Sequence, residues 1–399
     1  MRFTSRCVRV IFAVATVGLF VLSACGERGG ALTSGAGPVE VTDSAGVTTV
    51  RSLAADRAGT SAVDTVFVLG GKETPEESFY QVNGGNIGTN SAGDIFVLDL
   101  SAHHVQRFDS TGRHTGSFGA EGGGPGEFQF AFGLMTAADG RVWAVDIGKR
   151  AFVGWGGDGE LLPQSPLPDG FAGGLMRRAE DGLVFAARDT SGQQLVLVPD
   201  SGQRIVLASL PRAERRDISL PSCGMGFSGM EPLFSPYLVW TTAENITVVA
   251  RNPDYLIEVY DGDSLVRRLT RDVAPQPANS EVARASLGDG MVVGTPSGRR
   301  VCDPAEVVEK RGVAPYLPMV ERLALAPDGT LWVERWAVDA DSRSIDIFAP
   351  EGEYLGTLAP GTPMPVGFLP DGTILAVAED DAGVQRLMAA RLSVEWGAW

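Results

Sequence analysis

Hydrophobic positions along the chain cluster into short runs. The runs come in pairs, separated by a tight turn. Six segments share this pattern: GNIGTNSAGDIFVLD from Gly85, GLMTAADGRVWAVD from Gly133, LMRRAEDGLVFAARD from Leu175, LVWTTAENITVVARN from Leu238, RLALAPDGTLWVER from Arg322, and PVGFLPDGTILAVAED from Pro365. Five carry glycine at the turn (Gly93, Gly140, Gly182, Gly329, Gly372) and the fourth carries Asn245. Glycine and asparagine tolerate positive φ, so each segment predicts a β-hairpin. The strands IFVLD and LVFAA are apolar on both alternating faces. That pattern predicts sheets covered on both sides.

The turn residues lie 47, 42, 63, 84 and 43 positions apart. A four-stranded antiparallel unit needs about 40–45 residues. Three spacings fit it, and the two longer ones predict insertions. Second hairpins follow the first ones, as in HHVQRF, Asp109 to Gly112, and RHTGSFG. The expected class is therefore all-β, in repeated four-stranded antiparallel units.

The unit resembles the NHL repeat and the wider group of secreted bacterial six-bladed β-propellers. The likeness is closest over Asp94 to Val145, and it spans roughly residues 64–393. It weakens in the fourth segment, which lacks the Asp-Gly turn. The resemblance implies one six-bladed β-propeller domain over residues 39–399, with insertions at about 211–232 and 273–318. The sixth segment supplies only three strands. Gly70 to Phe79 repeats the spacing of Gly119 to Phe128, so the N-terminal segment TVFVLG is expected to close the ring as the missing strand. Residues 39–53 predict an extra hairpin. The glycine-rich stretch Gly116–Phe130 fits neither GxGxxG nor GxxxxGK[ST], and reads as a crossing between units.

Charge and cysteines add a compartment. The net charge of −16 disfavours nucleic acid as a partner. Residues 1–24 combine Arg2, Arg6 and Arg9 with a short apolar run, the pattern of an export signal. Leu22-Ser23-Ala24-Cys25 resembles the lipobox of bacterial lipoproteins, which implies lipidation of Cys25 and a membrane anchor. Residues 25–38 read as a flexible tether, and Gly26 after the cysteine resembles the outer-membrane class. Cys223 and Cys302 remain, in a compartment that permits disulfides. A bridge between them is the expectation; the alternative is two buried thiols.

In a propeller, the connections between blades and the loops after each second strand share one mouth. Both insertions then fall at that mouth, and Asp303-Pro304 with Gly312 marks a capped helix there. Polar candidates at the mouth are Asp99, His103 and His104; Asp146, Lys149 and Arg150; Arg188 and Asp189; Arg251, Asn252 and Asp254; Arg335 and Trp336; and Glu379, Asp380 and Asp381. The aspartates at strand ends read as turn residues. Arg188, Arg251 and Arg335 occupy comparable positions in three successive segments, so a clamp for a carboxylate or phosphate is one expectation and separate salt bridges the other. No GxSxG or HExxH motif is present, and no cofactor is implied. The reading is a monomeric, lipid-anchored module of the cell envelope that binds a protein, peptide or glycan through one face. The alternative is a metal-dependent propeller enzyme of the lactonase or lyase type.

Overall fold

A computed structural model describes residues 37–71, 79, 82–100, 102–180, 182–295, 298–379 and 384–398. The export signal, Cys25, most of the tether, Asp380 and Asp381 lie outside the described residues.

Among the described residues, six four-stranded antiparallel groups can be traced within the sheets. Unit 1 comprises Ile87–Thr89, Ile95–Asp99, His104–Phe108 and His114–Phe118. Unit 2 comprises Ala131–Thr136, Val142–Asp146, Ala151–Trp155 and the short Ser165–Pro166. Unit 3 runs Phe171–Ala179, Gly182–Arg188, Gly192–Pro199 and Ile205–Pro211. Unit 4 runs Leu238–Ala243, Ile246–Arg251, Leu256–Asp261 and Ser264–Arg271. Unit 5 runs Val320–Leu325, Leu331–Arg335, Ile345–Phe348 and Tyr354–Leu358. Unit 6 joins Gly367–Phe368, Ile374–Glu379 and Gln385–Trp396 to the N-terminal strand Ala58–Leu69. That strand pairs from Gly59↔Trp396 to Leu69↔Leu387. Its first residues also pair with the last strand of unit 5, which makes units 5 and 6 one eight-stranded sheet. The hairpin Val39–Ser44 and Val47–Ser52 adds two strands to the outer edge of unit 4.

The hydrophobic core lies between successive units, which pack face to face as in a β-propeller. Phe96 and Leu98 of unit 1 meet Leu134 and Val153 of unit 2, and Trp332 and Ile347 of unit 5 meet Ile374 and Ala390 of unit 6. Leu375 and Leu387 of unit 6 in turn meet Ile87 and Val97 of unit 1. Every residue of Ile95–Asp99 is buried, as its unbroken apolar run requires.

Four of the hairpin turns have nearly the same geometry, with Gly93, Gly140, Gly329 and Gly372 at φ between 83° and 87°. Two turns differ from the expectation. In unit 4 the left-handed residue is Glu244 (φ 51°) and not Asn245, whose side chain donates to Asp261 instead. In unit 3, Gly182 is a paired strand residue.

Gly70 stands to Phe79 as Gly119 stands to Phe128. Each glycine has positive φ (81° and 90°), and a Cβ on either would lie 2.5 Å from the ring of its phenylalanine. Phe79 then meets Phe108 edge-on, as Phe128 meets Trp155. The opening glycines of the second corner thus let Phe128 reach full burial, a gain of roughly 1.5–3 kcal/mol over an exposed ring. Lys149 Nζ pins this loop by donating to the carbonyls of Gly124 and Glu127.

The two long connections are folded, not loose. The first, after unit 3, forms the hairpin Arg216–Leu220 and Met225–Met230. The second, after unit 4, forms α1 (Ser280–Leu287), the hairpin Met291–Thr295 and Gly298–Cys302, and α2 (Pro304–Arg311). Asn279 caps α1 by accepting from Glu281 N and Val282 N, and Asp303 caps α2 by accepting from Glu306 N. The two insertions share a core of Ile218, Leu220 and Val307, with Cys223 bonded to Cys302 across them. Among the described residues, no helix is long and apolar enough to cross a membrane.

Candidate functional site

A cavity of about 480 Å³ lies where the two insertions meet units 3, 4 and 5. Three kinds of segment build it. The turn after the second strand of unit 3 supplies Arg188 and Asp189. Asp189 closes that turn on itself, accepting from Ser191 N at 2.7 Å and Gly192 N at 3.2 Å. The first insertion begins beside it, where Arg212 N donates to Ser191 O, and contributes Arg212, Arg215 and Glu231. The second contributes Arg311, the last residue of α2. Leu233 stitches the insertions together, donating to Gly312 O and accepting from Ala314 N.

One wall is aromatic. Phe234 meets Trp336 edge-on, with centroids 5.3 Å apart. Phe234 sits at φ 62°, a left-handed conformation that a bulky residue adopts only when its surroundings impose it. Tyr237 lies beside them and donates to Glu321 at 3.0 Å; burial first, and then that carboxylate, push its phenol pKa up.

The electrostatics are lopsided. Four arginines line the cavity against two carboxylates. Asp189 is engaged by its own turn and by Gln194. Glu231 accepts two N–H bonds from Arg215 at 3.1 Å and faces Arg188 at 3.8 Å, beyond hydrogen-bond distance. Among the described residues, Arg311 donates only to the backbone carbonyl of Glu231, and burial lowers its pKa. Among the described residues, Arg212 lines the cavity with no hydrogen bond or ion pair from its side chain to a carboxylate.

The expected three-arginine clamp does not form. Arg188 lines the cavity, but Arg251 and Arg335 do not. Arg251 is held by the buried Glu258 of its own unit at 2.6 Å and donates to Ser209 O. Arg335 belongs to a closed network between units 4, 5 and the N-terminal segment. There, fully buried Asp346 accepts from Arg271 (2.9 Å), Arg335 (2.9 Å), Tyr255 (2.5 Å) and Thr357 (2.6 Å). Asp56 accepts from both arginines. Burial is the largest influence and opposes the charge on Arg271 and Arg335, but Asp346 together with the neighbouring acids and phenols outweighs it, and both guanidinium pKa values are raised. The hydrogen bond from Arg335, helped by Arg271, holds Asp56 at about 2.

The other candidates are spread around the same end of the units. Asp146 is fully buried and accepts from Gln129 N, Phe130 N and Lys149 N. Asp99 is buried and accepts from Ala102 N, and His103 occupies its turn at φ 55°. Arg150 is exposed at φ 54°. Asn252 bonds across to Val320, the first residue of unit 5, and to Met319 just before it. Among the described residues, no group of three or more His, Cys, Asp or Glu side chains is placed to hold a metal ion. Arg177, in the first strand of unit 3, reaches Gly84 O and Gly85 O beside unit 1 and Leu134 O of unit 2, and burial lowers its pKa to about 10. It ties the first strands of units 2 and 3 to the turn that leads into unit 1.

Trp336, Arg188 and Asp189 are the cavity residues that strand-end position alone could identify. Arg212, Arg215, Glu231 and Arg311 were missed because they lie inside the insertions, and Phe234 because it lies just beyond the first. For all but Arg311, the bracketing prolines (Pro211, Pro232, Pro236) mark rigid segments and were the available signal.

No protein-family model matches the chain, and no curated protein matches it either. Solved structures do. A Bacteroides fragilis protein named as an exported protein aligns over 83% of this chain and 95% of its own, at 12% identity and a TM-score of 0.51. A member of the duf4221 family from Bacteroides vulgatus aligns over 83% and 98%, at 8% identity and a TM-score of 0.46. Regucalcin of Agrobacterium tumefaciens, a calcium-binding protein, aligns over 84% and 96%, at 13% identity and a TM-score of 0.38. At these identities, the first likeness concerns the fold, and the chain is a β-propeller by its own strand pairing and packing.

Proposed function

We propose that this chain is a lipid-anchored binding module of the bacterial cell envelope, built as a single six-bladed propeller with its cap at the mouth. The six units would be the blades, closed into a ring by Ala58–Leu69. The observation that carries the binding role is the cavity. Two insertions, far apart in sequence, fold against each other, are joined by a disulfide, and roof a concave space at the loop end of three units. Loops positioned by a rigid scaffold are where binding residues concentrate. The export-signal pattern and lipobox support the anchor, as does a disulfide suited to an oxidising compartment.

A photo-crosslinking residue at Trp336, in cells, tests the role against one at Asp371, in a hairpin turn at the opposite end of the strands. Adducts are expected from the mouth position and not from the other. Equal labelling, or no adduct from the mouth, would refute binding through this face. Labelling with a fatty-acid analogue, expected in the natural chain and lost in Cys25→Ala, tests the anchor.

A further inference from the structure

We infer that the capped cavity takes a small aromatic carboxylate, its acid group held by Arg188 and Arg212 and its ring set against Phe234 and Trp336. This rests on the binding-module reading and narrows it to a ligand class.

Three observations lead to it. First, the cavity has a deficit of negative charge. Its four arginines face one carboxylate that is not closed into its own turn, and Arg215 takes most of that one. The contrast with the rest of the protein is large, since the chain as a whole carries −16. A cationic cleft in an acidic protein draws anions inward while the outer surface repels bulky polyanions. Among the described residues, Arg212 has no carboxylate and Arg188 meets Glu231 only at 3.8 Å, so both have donors to offer a planar acid, which guanidiniums grip with two parallel N–H bonds.

Second, a bare anion would leave one wall unused. Phe234 and Trp336 are only half-buried, and their edge-on contact presents apolar surface to the space that the arginines line. Pro232, Pro236 and Pro318 extend that wall without donors of their own. Phe234 is held at positive φ by a turn in which Ser235 donates twice to Pro232 O, so its ring is placed before any ligand arrives.

Third, size and charge together exclude rivals. The volume of about 480 Å³ suits a small molecule and is too small for a folded partner. The arginines disfavour a metal cation or an amine.

The probes are 2-naphthoate and its neutral counterpart 2-naphthamide, titrated calorimetrically into the purified full chain. The acid is expected to bind about tenfold or more tightly than the amide, as two charge-assisted hydrogen bonds imply. In Arg188→Ala/Arg212→Ala that ratio should fall to about one, while Trp336→Ala should weaken both probes several-fold, leaving their ratio in place. Both variants alter exposed or half-buried side chains, and their melting temperatures check folding. Equal binding of the two probes, an unchanged ratio in the double variant, or no binding of either overturns the inference. Mouth adducts that persist without naphthoate binding would reject the acid class alone; loss of the adducts would reject the binding module itself.

Discussion

Two arginine-rich places lie at the same end of the strands, and they are built on opposite principles. At the junction of units 4 and 5, Arg271 and Arg335 meet Asp346 and Asp56, and Arg271 also stacks over Tyr354 at 3.6 Å. Charges balance, and Asp346 has a donor for each of its contacts. In the capped cavity, Arg188, Arg212, Arg215 and Arg311 share one available carboxylate. Arginine at a strand end therefore says little about binding. What separates a structural cluster from a ligand site is whether the protein supplies the counter-charge itself. The cavity guanidiniums face water, where an ion pair is worth only about 0–1 kcal/mol, so leaving them short of carboxylates costs the fold little and keeps their donors open to a ligand.

The comparison can be broken most severely at Asp346. Asp346→Ala removes the buried acid shared by Arg271 and Arg335, leaving only the half-exposed Asp56 between them, and should cost about 3–5 kcal/mol in urea unfolding. A loss below about 1 kcal/mol would mean that the junction is not held by charge. Next comes the cap. Replacing Cys223 and Cys302 by serine opens a link spanning 79 positions and should destabilise the insertions by roughly 2–4 kcal/mol. Hydrogen exchange should quicken over residues 216–230 and 291–311 while the strand Ile95–Asp99 stays protected. Equal loss in both regions would show that cap and sheets unfold as one.

A smaller effect concerns acid. Asp56 is held at about 2, below its ordinary 3.8, so its contribution is complete above the ordinary value and disappears as pH falls through about 2. Its side chain is 54% exposed, and solvent screening reduces the contribution to about 1 kcal/mol. Stability measured between pH 5 and pH 2 should fall less in Asp56→Asn than in the natural chain; identical slopes would remove Asp56 from the network. The smallest change is expected at the cavity. Arg212→Ala should move stability by no more than ~0.5 kcal/mol, because nothing in the fold leans on that guanidinium. A larger loss would place Arg212 among the structural arginines.

Much of the scaffold was legible in the sequence because its signals are local. Glycine at four hairpin turns, unbroken apolar runs in second strands, and the repeated interval from glycine to phenylalanine each reflect a constraint satisfied within a few residues. The interval even located the N-terminal strand, since Gly70–Phe79 and Gly119–Phe128 solve the same packing problem. Helix α2 announced itself through Asp303, Pro304 and Gly312. Helix α1 carried comparable marks in Asn279, Glu281 and Gly288, but they sat inside a stretch read only as an insertion.

The candidate site was less legible, for a physical reason. Spacing placed Arg188, Arg251 and Arg335 at one end of their strands, but charge compensation is a property of neighbours in space. Glu258 reaches Arg251 from the adjacent strand, and Asp56 reaches Arg335 across 279 positions. The sequence by itself determined which segments become strands, where the chain is interrupted, and which end of the units receives the interruptions. Only the tertiary structure decided which arginines are neutralised, because that depends on which carboxylates the packed sheets and the folded cap bring within a few ångströms.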